Sequence, residues 1–314
     1  MTDDEDRTDV PRGDVGADPA AEFAGERARL VGLAYRMLGS VHDAEDVVQE
    51  AWLRLARQDR AGIANLAAWL TTVTSRLCLD RLRVVRAQRE RYVGPWLPEP
   101  LVSTTPGPEE TVEVDESLRL ALLVVLERLT PEQRVAFVLH DVFDVPFDQV
   151  ASVLATSDAN ARQLASRARR TVRDGAPPPA LPPARQRAVV EPFLRAVLAG
   201  DLAGVVSALA PGVVLTSDGG GRVNAALRPV LGVDKVARFL VGLQRFATDA
   251  DVEARTALVN GEVGVVVRVI PWPGSRTEAG VTVVVPRVGH DGLVHAVDVV
   301  RNPDKLTPLG AADA

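Results

Sequence analysis

The chain has 314 residues, 46% of them hydrophobic, enough for about two domains with real cores, and wholesale disorder is excluded. No window approaches the ~18 uncharged apolar residues of a spanning helix, and the acidic start MTDDEDRTDV is unlike a basic, then greasy, secretory signal, so a cytoplasmic protein with no membrane partner is expected. The single cysteine, Cys78, forbids an internal disulfide, and neither it nor the four histidines have metal-ligand spacing, so no metal and no cofactor are expected.

The net charge of -6 is unevenly spread. Residues 1–20 carry seven acids against Arg7 and Arg12, and the remainder is near neutral. Only Lys235 and Lys305 among the 36 basic residues are lysine, and the arginines cluster at 76–91 and 159–173. Two basic patches on an acidic chain favour anionic partners at two places.

In chain order, the acidic tail (1–19) leads into a helical unit at 20–93. Ser40 with Asp43 three residues on has the form of a capping box, and Ala44, Val47, Val48, Ala51, Trp52 and Leu55 then make one buried helical stripe. Asp46, Gln49 and Glu50 share the outward face. The next helix, from about Asn65 to Arg86, buries Leu66, Leu70, Val73, Leu77 and Val84, with Trp69, Arg76 and Arg83 seven apart on a flanking stripe. The proline-rich stretch 94–113 reads as a linker.

A second helical unit, 114–174, has runs at about 115–129, 131–143, 146–154 and 158–173, with Pro131 at a helix's first position behind Thr130. Only Ala155, Thr156 and Ser157 separate the last two runs, which is helix-turn-helix spacing. In the final helix Ala161, Leu164, Ala165, Ala168 and Val172 face inward. Gln163, Ser166, Arg170 and Arg173 point outward, with Asn160, Arg162 and Arg167 at the flanks. A stiff spacer with five prolines in nine residues (175–183) precedes a C-terminal α+β domain at 184–314. There, helices at 184–199, 201–209 and 232–245 accompany valine-rich strands at 252–259, 262–270, 280–288 and 293–301. The fold class is therefore multidomain, two all-α units plus a curved-sheet α+β domain.

The second helix of a helix-turn-helix enters the major groove, its early residues reading base edges and its later arginines meeting phosphates. Asn160, Gln163 and Ser166 suit reading, Arg167, Arg169, Arg170 and Arg173 suit anchoring, and Arg162 suits either. The runs DAEDVVQEAW (43–52), WL at 69–70 with LCLDRLR (77–83), and LTPEQRVAFVLHDVFDVPFDQVASVL (129–154) resemble an extracytoplasmic-function sigma factor. YVGPWLPEPL (92–101), DGGGR (218–222) and NPDKL (302–306) resemble motifs of the subgroup carrying a C-terminal SnoaL-like domain.

The resemblance implies a promoter-specific transcription initiation factor whose partners are core RNA polymerase and promoter DNA, and which catalyses no chemistry. It assigns Asp46, Gln49 and Glu50 to the clamp helices of the polymerase's largest subunit, and Asn65, Trp69, Arg76 and Arg83 to capture of minus-ten bases. Trp69 suits the core equally well. Thr74, Ser75 and Arg76, where many relatives have Ala-Arg-Asn, and the start SDANARQ of the last helix depart from the commoner pattern, which leaves promoter preference open.

A rival reading gives the C-terminal domain a small-molecule ligand, sensed or turned over, with Asp218, Arg268, His295 and Asp298 as acid-base candidates. His295 and Asp298 are three apart on one strand and face opposite sides, which weakens an enzyme. Gly219, Gly220 and Gly221 after Asp218 suit a tight turn or close backbone approach rather than a rigid acid. His42 and His140 lie in helices and read as structural. The linker holds Trp96, Leu97 and Pro98, an apolar pair with its proline that a solvated linker does not need. WLPEPL is expected to dock near Asp218 to Arg222, with Asn302, Pro303, Asp304 and Lys305 at its edge, holding the three domains in one orientation.

Overall fold

The computed structural model describes residues 19–59, 62–89, 91–103, 116–175, 181–243, 249–275 and 277–310. The acidic tail before Pro19, the second half of the linker and most of the spacer lie outside the described residues.

Three helices form the first unit, α1 (Pro19–Leu38), α2 (Val41–Arg57) and α3 (Leu66–Arg89). Ser40 caps α2, its hydroxyl accepting the Asp43 N–H at 3.2 Å. Only this half of the expected box forms, because the Asp43 carboxylate turns to Arg81 on α3. The stripe Ala44, Val47, Val48, Ala51 and Leu55 is buried. Val84, expected in the core, is instead 52% exposed.

The second unit begins with a 3-10 turn at Glu116–Leu118 and continues through α4 (Leu120–Leu126), α5 (Pro131–Phe137), a π-helical turn at Val138–Val142, α6 (Phe147–Leu154) and α7 (Asp158–Gly175). Two runs expected to be single helices are therefore interrupted. The first breaks at Arg119, which is extended (φ -55°, ψ 133°) and whose guanidinium reaches Glu262 in the C-terminal domain. Thr130 and Gln133 cap α5 reciprocally, with Pro131 at its first position. Ala155 ends α6 in the left-handed region.

The two helical units are not separate bodies. Leu30, Leu33, Met37, Leu70 and Leu79 share one continuous core with Leu123, Leu126, Val135, Leu139 and Val150. Arg134 of α5, 3% exposed, donates across the boundary to the Met37 carbonyl at 2.9 Å, and Arg36 of α1 donates to the Ser117 hydroxyl at 2.7 Å. Apolar stripes cannot announce this merger, since a stripe looks the same whichever neighbour covers it.

The C-terminal domain carries α8 (Pro183–Ala199), α9 (Leu202–Ala208), β2 (Leu209–Asp218), β3 (Val230–Leu231), α10 (Val233–Gly242), β4 (Ala250–Val259), β5 (Glu262–Pro271), β6 (Gly280–Val288), β7 (Val294–Val300), a 3-10 turn at Pro303–Lys305 and a last short helix, α11 (Thr307–Gly310). With β1 (Val102–Ser103) at one edge, its sheet runs β1-β4-β5-β6-β7-β2-β3, antiparallel except for the parallel pair β2 and β7. The outermost strand β1 is Val102–Ser103, so the linker itself joins the sheet, pairing with Val259 and Leu258. Strand β2 was not expected after the 201–209 helix. Its Pro211 and Gly212 fall in the stretch where the β2–β7 register shifts between Leu209 and Val214, and regular pairing with β7 resumes from Val214 to Asp218.

Alternation sorts the sheet into two faces. Phe193, Val205, Val236 and Leu240 from the helices pack with Val213, Leu215, Val297 and Val299 on one side. On the other, Val266, Val283, Val285 and Val300 meet Leu97 of the linker, Leu120 of α4, and Leu306 and Leu309 of the C-terminal segment. The second face is thus a joint between domains.

Candidate functional site

On α2, Asp46 and Gln49 are exposed and Glu50 is half-buried beside Arg54 at 3.0 Å. The three project from the side opposite the buried stripe. The Asn65 side chain accepts the Ala68 N–H at 3.0 Å and so starts α3. Trp69 is half-buried against the shared core. Arg76 and Arg83 are exposed but engaged, Arg76 donating to the Ser152 carbonyl at 2.9 Å and Arg83 meeting the Glu132 carboxylate at 3.1 Å. Both partners belong to the second helical unit.

The outer face of α7 is open. Arg162, Gln163, Ser166, Arg167 and Arg170 are exposed, while Ala161, Ala165 and Ala168 are buried. Arg162 lies over the Phe147 ring at 4.7 Å, and Arg169 pairs with Asp141. Asn160 donates to the Thr156 hydroxyl at 2.8 Å, inside the turn of the helix-turn-helix.

The linker, the DGGGR turn and the NPDKL segment converge. Asp218 is fully buried at the end of β2, where its carboxylate accepts from the Leu97 N–H (2.8 Å), the Tyr92 hydroxyl (2.6 Å), the Gly220 N–H (3.1 Å) and the Lys305 ammonium (2.7 Å). The three glycines after it do form a tight turn, with Gly220 and Gly221 at positive φ, but Asp218 is a rigid acid, contrary to the expectation drawn from them. Four donors and its position on a strand fix it. Burial, then the Asp218 hydrogen bond, push the Tyr92 hydroxyl's pKa upward. Lys305 also donates to the Leu97 carbonyl and lies over the Trp96 ring at 4.0 Å. Asn302 is buried, donates to the Tyr92 hydroxyl at 3.0 Å and stacks its amide against Gly220, which sits at φ +60° where a Cβ would collide with it. Pro303 and Asp304 stay exposed, and Arg222 pairs with Asp304 at 3.2 Å on the surface. Gly219 is buried, Gly221 exposed, and Pro98 buried beside Leu97. The half-buried Trp96 covers Gly39 at the α1–α2 corner, where a Cβ would fall 2.8 Å from the indole. The linker thus touches the first helical unit and the C-terminal domain at once.

A second meeting point escaped the reading of the motifs. Asn260 and Gly261 both have positive φ at the β4–β5 turn, the geometry an Asn-Gly hairpin favours. The Asn260 amide nitrogen donates to the Tyr35 hydroxyl and to the Leu118 carbonyl, both at 2.8 Å, and its oxygen accepts the Leu101 N–H at 3.0 Å. Tyr35 in turn donates to the Glu99 carbonyl at 2.6 Å. Next to it, Arg119 and Glu262 form an ion pair at 2.7 Å with both side chains 5% exposed. The hairpin signal was visible in the sequence, but nothing local told that its Asn would serve three other segments.

The acid-base candidates do not meet. Asp298 is 1% exposed and held by Arg287, with burial raising its pKa against the pull of that guanidinium. His295 is exposed and pairs with Asp291 at 3.0 Å, and Arg268 donates to the Leu309 carbonyl. His140 accepts its place through a 3.0 Å contact with the Val145 carbonyl. Among the described residues no group of His, Cys, Asp and Glu could hold a metal, and no helix is long and apolar enough to cross a membrane.

The model for sigma-70 region 2 matches residues 23–88, and that for sigma-70 region 4 matches residues 119–172. The chain is 48% identical to the ECF RNA polymerase sigma factor SigJ of Mycobacterium tuberculosis, over 91% of its own length and 93% of that protein's. It is 36% identical to the probable ECF sigma factor SigI of the same species, covering 93% of itself and 96% of the relative. The crystal structure of SigJ superposes with a TM-score of 0.72 at 45% identity, over 92% of this chain and 98% of that one. Region 2 falls on the first helical unit, region 4 on the helix-turn-helix, and the likeness to SigJ runs on through the C-terminal domain, so this chain belongs to the extracytoplasmic-function RNA polymerase sigma factors.

Proposed function

We propose that this sigma factor is regulated from within, by a C-terminal domain (184–314) that acts on the linker (94–113) and through it on the two sigma units (20–93 and 114–174). The observation that carries the reading is Lys305, whose ammonium is shared by the Leu97 carbonyl, the Asp218 carboxylate and the face of Trp96. Three sequence-distant motifs meet at one cation. A tethered domain shifts a population only through contacts that differ between two states, and this joint supplies such contacts. Run-off transcription with core polymerase tests it. Full-length protein, protein ending before Asn302 and protein ending before residue 184 should give three different outputs on one promoter, and equal outputs remove the proposal.

The outward face of α2, with Asp46 and Gln49 exposed and Glu50 half-buried beside Arg54, supports docking on the polymerase clamp. Glu50→Arg is expected to weaken core binding with little change in melting temperature, since a solvent-face substitution alters stability by about 0.5 kcal/mol or less. Unchanged run-off transcription counts against the assignment.

The open face of α7 supports reading of the minus-thirty-five element. Gln163→Ala should change which sequence is preferred, by about 1–3 kcal/mol if it pairs with a base edge. Arg170→Ala should weaken binding to every sequence and lower the salt dependence by about one phosphate contact. Identical behaviour of the two variants in a competition binding assay would dissolve the division between reading and anchoring.

An alternative in which the C-terminal domain turns over a small molecule has less support. Asp298 is spent on Arg287, His295 points to solvent, and the helix-covered face is filled by apolar side chains. Action on core RNA polymerase supports a cytoplasmic location for the protein.

A further inference from the structure

The structure assigns Asn260 the role of a staple that holds the two sigma units closed, so that the C-terminal domain opposes polymerase binding in the free chain. This inference deepens the regulatory reading above and rests on it. The motifs quoted above do not include Asn260, Tyr35 or Leu118, and of its partners only Leu101 ends one of them, YVGPWLPEPL.

The first step is that the described arrangement is closed. Elements centred about 25 base pairs apart are separated by about 85 Å of duplex at 3.4 Å per base pair. Here α3, which offers Arg76 and Arg83, lies in hydrogen-bond contact with α6 and with Glu132 of α5. A 24-residue helix such as α3 is about 36 Å long, less than half that span, and it is packed side by side with α5 and α6 rather than drawn away from them. Arg76 and Arg83 cannot meet DNA while they serve Ser152 and Glu132, so the arrangement in which the two units share a core is closed to minus-ten capture.

The second step concerns what holds the closed form. The linker joint at Asp218 binds the C-terminal domain to residues 92–97, and the linker touches the first unit through Trp96 over Gly39 and through Glu99, which bonds Gly39, Val41 and Tyr35, but neither residue reaches the second unit from the C-terminal domain. Asn260 is different in kind. One amide nitrogen gives its two hydrogens to Tyr35 of α1 and to the carbonyl of Leu118, the residue that leads into α4. Its donors are thereby divided between the two sigma units. The residue is 3% exposed, and its backbone N–H and side-chain oxygen are both occupied by Leu101, so the amide has no freedom to serve one unit without the other. Opening the joint strands buried polar groups on three segments, and such groups are costly to leave unmade. A side chain bonded to both halves of a closing body stabilises the closed form specifically, because separating the halves breaks at least one bond.

The sign follows. A binding-competent state populated to a fraction f lowers the apparent affinity of its partner by that fraction, so a contact that deepens the closed form weakens core binding. Polymerase has to displace it.

Two variants test this without touching the polymerase or DNA faces. Tyr35→Phe removes one hydroxyl and keeps the ring in the core. Asn260→Gly removes the amide and keeps the turn, since glycine accepts the φ of +51°. Dyes on Gln58→Cys and Asp174→Cys report the separation of the two units, Cys78 being buried and inert to labelling. Each variant should raise the open-to-closed ratio about tenfold, seen as a loss of energy transfer, and should tighten binding to core polymerase by about the same factor. Both must melt cooperatively, and the far-ultraviolet spectrum should match the parent. Unchanged energy transfer in both folded variants overturns the staple. A larger separation with unchanged or weaker core affinity also overturns it, because the joint would then not oppose the polymerase. Glu50→Arg and the three-length transcription comparison, run alongside, separate the outcomes. If they respond and the Tyr35 and Asn260 variants do not, the staple fails while the regulatory reading stands. If lengths give equal outputs, the regulatory reading falls first.

Discussion

Lys305→Met is expected to weaken the joint between linker and C-terminal domain by about 3 kcal/mol, measured as a loss of stability in chemical denaturation. Removing one partner of a buried ion pair typically costs 3–5 kcal/mol because the other charge is left uncompensated. The lower end applies here. Asp218 keeps three donors, the Tyr92 hydroxyl and the Leu97 and Gly220 N–H groups, which continue to solvate its charge after the ammonium has gone. Asp218→Asn combined with Lys305→Met should recover much of the loss, since no buried charge remains, and the coupling in that double-mutant cycle should exceed 1 kcal/mol. Additive losses would mean that Lys305 acts through Trp96 and Leu97 and not through the carboxylate. Trimming from Asn302 removes the same cation together with Asn302, Leu306 and Leu309, so its effect on the joint should exceed that of Lys305→Met. Cutting before residue 184 goes further and uncovers Leu97, Leu120 and Val102, which now rest on the sheet, so promoter output should differ most from the parent there.

Much of the fold could be read locally. The α2 stripe, the Thr130–Pro131 cap, the helix-turn-helix and the strands β5 to β7 follow from periodicity and capping chemistry that act within a few residues. What could not be read depends on partners far along the chain. β1 is two residues long and exists because Val102 finds Val259. β2 resumes after the irregularity at Pro211 and Gly212 because Val214 to Asp218 find partners on β7. The shared core of the sigma units is hidden for the same reason, since Leu33 and Leu126 carry no mark of which unit they will touch.

The site divides in the same way. Exposed residues of α2 and α7 were placed correctly by helical arithmetic, because the outward face of a helix is fixed once its buried face is known. Arg76 and Arg83 also point outward, yet both are occupied by the other unit, which no arithmetic within α3 could give. Asp218 shows the opposite error. Three following glycines suggested a tight turn rather than a rigid acid, whereas the carboxylate sits on a strand end and gathers donors from residues 92, 97, 220 and 305. Burial of a charge is decided by what arrives from elsewhere, and composition is silent about it.

The buried pair Arg119–Glu262 carries the other large effect. Arg119→Met should destabilise the folded chain by about 3–5 kcal/mol at neutral pH, because Glu262 would remain in a site 5% exposed without its directly bonded guanidinium, the more distant Arg287 being engaged by Asp298. Burial already raises the Glu262 pKa and Arg119 opposes that rise, so deleting Arg119 raises it further. A carboxyl whose folded pKa lies above its unfolded value, about 4.3, favours folding when protonated. The penalty in Arg119→Met should therefore be largest at neutral and mildly alkaline pH, shrink as pH falls through the raised folded value, and vanish below the unfolded one. The parent should show a weaker dependence over the same range. Arg119→Met with Glu262→Met should restore stability to near that of the parent and abolish the difference in pH dependence, as apolar replacement of buried pairs commonly does. Melting curves of the three variants between pH 5 and 8 decide the matter. A pH-independent loss in Arg119→Met would show that the arginine acts by packing on α4 and the sheet, and a double variant as weak as the single would show the same.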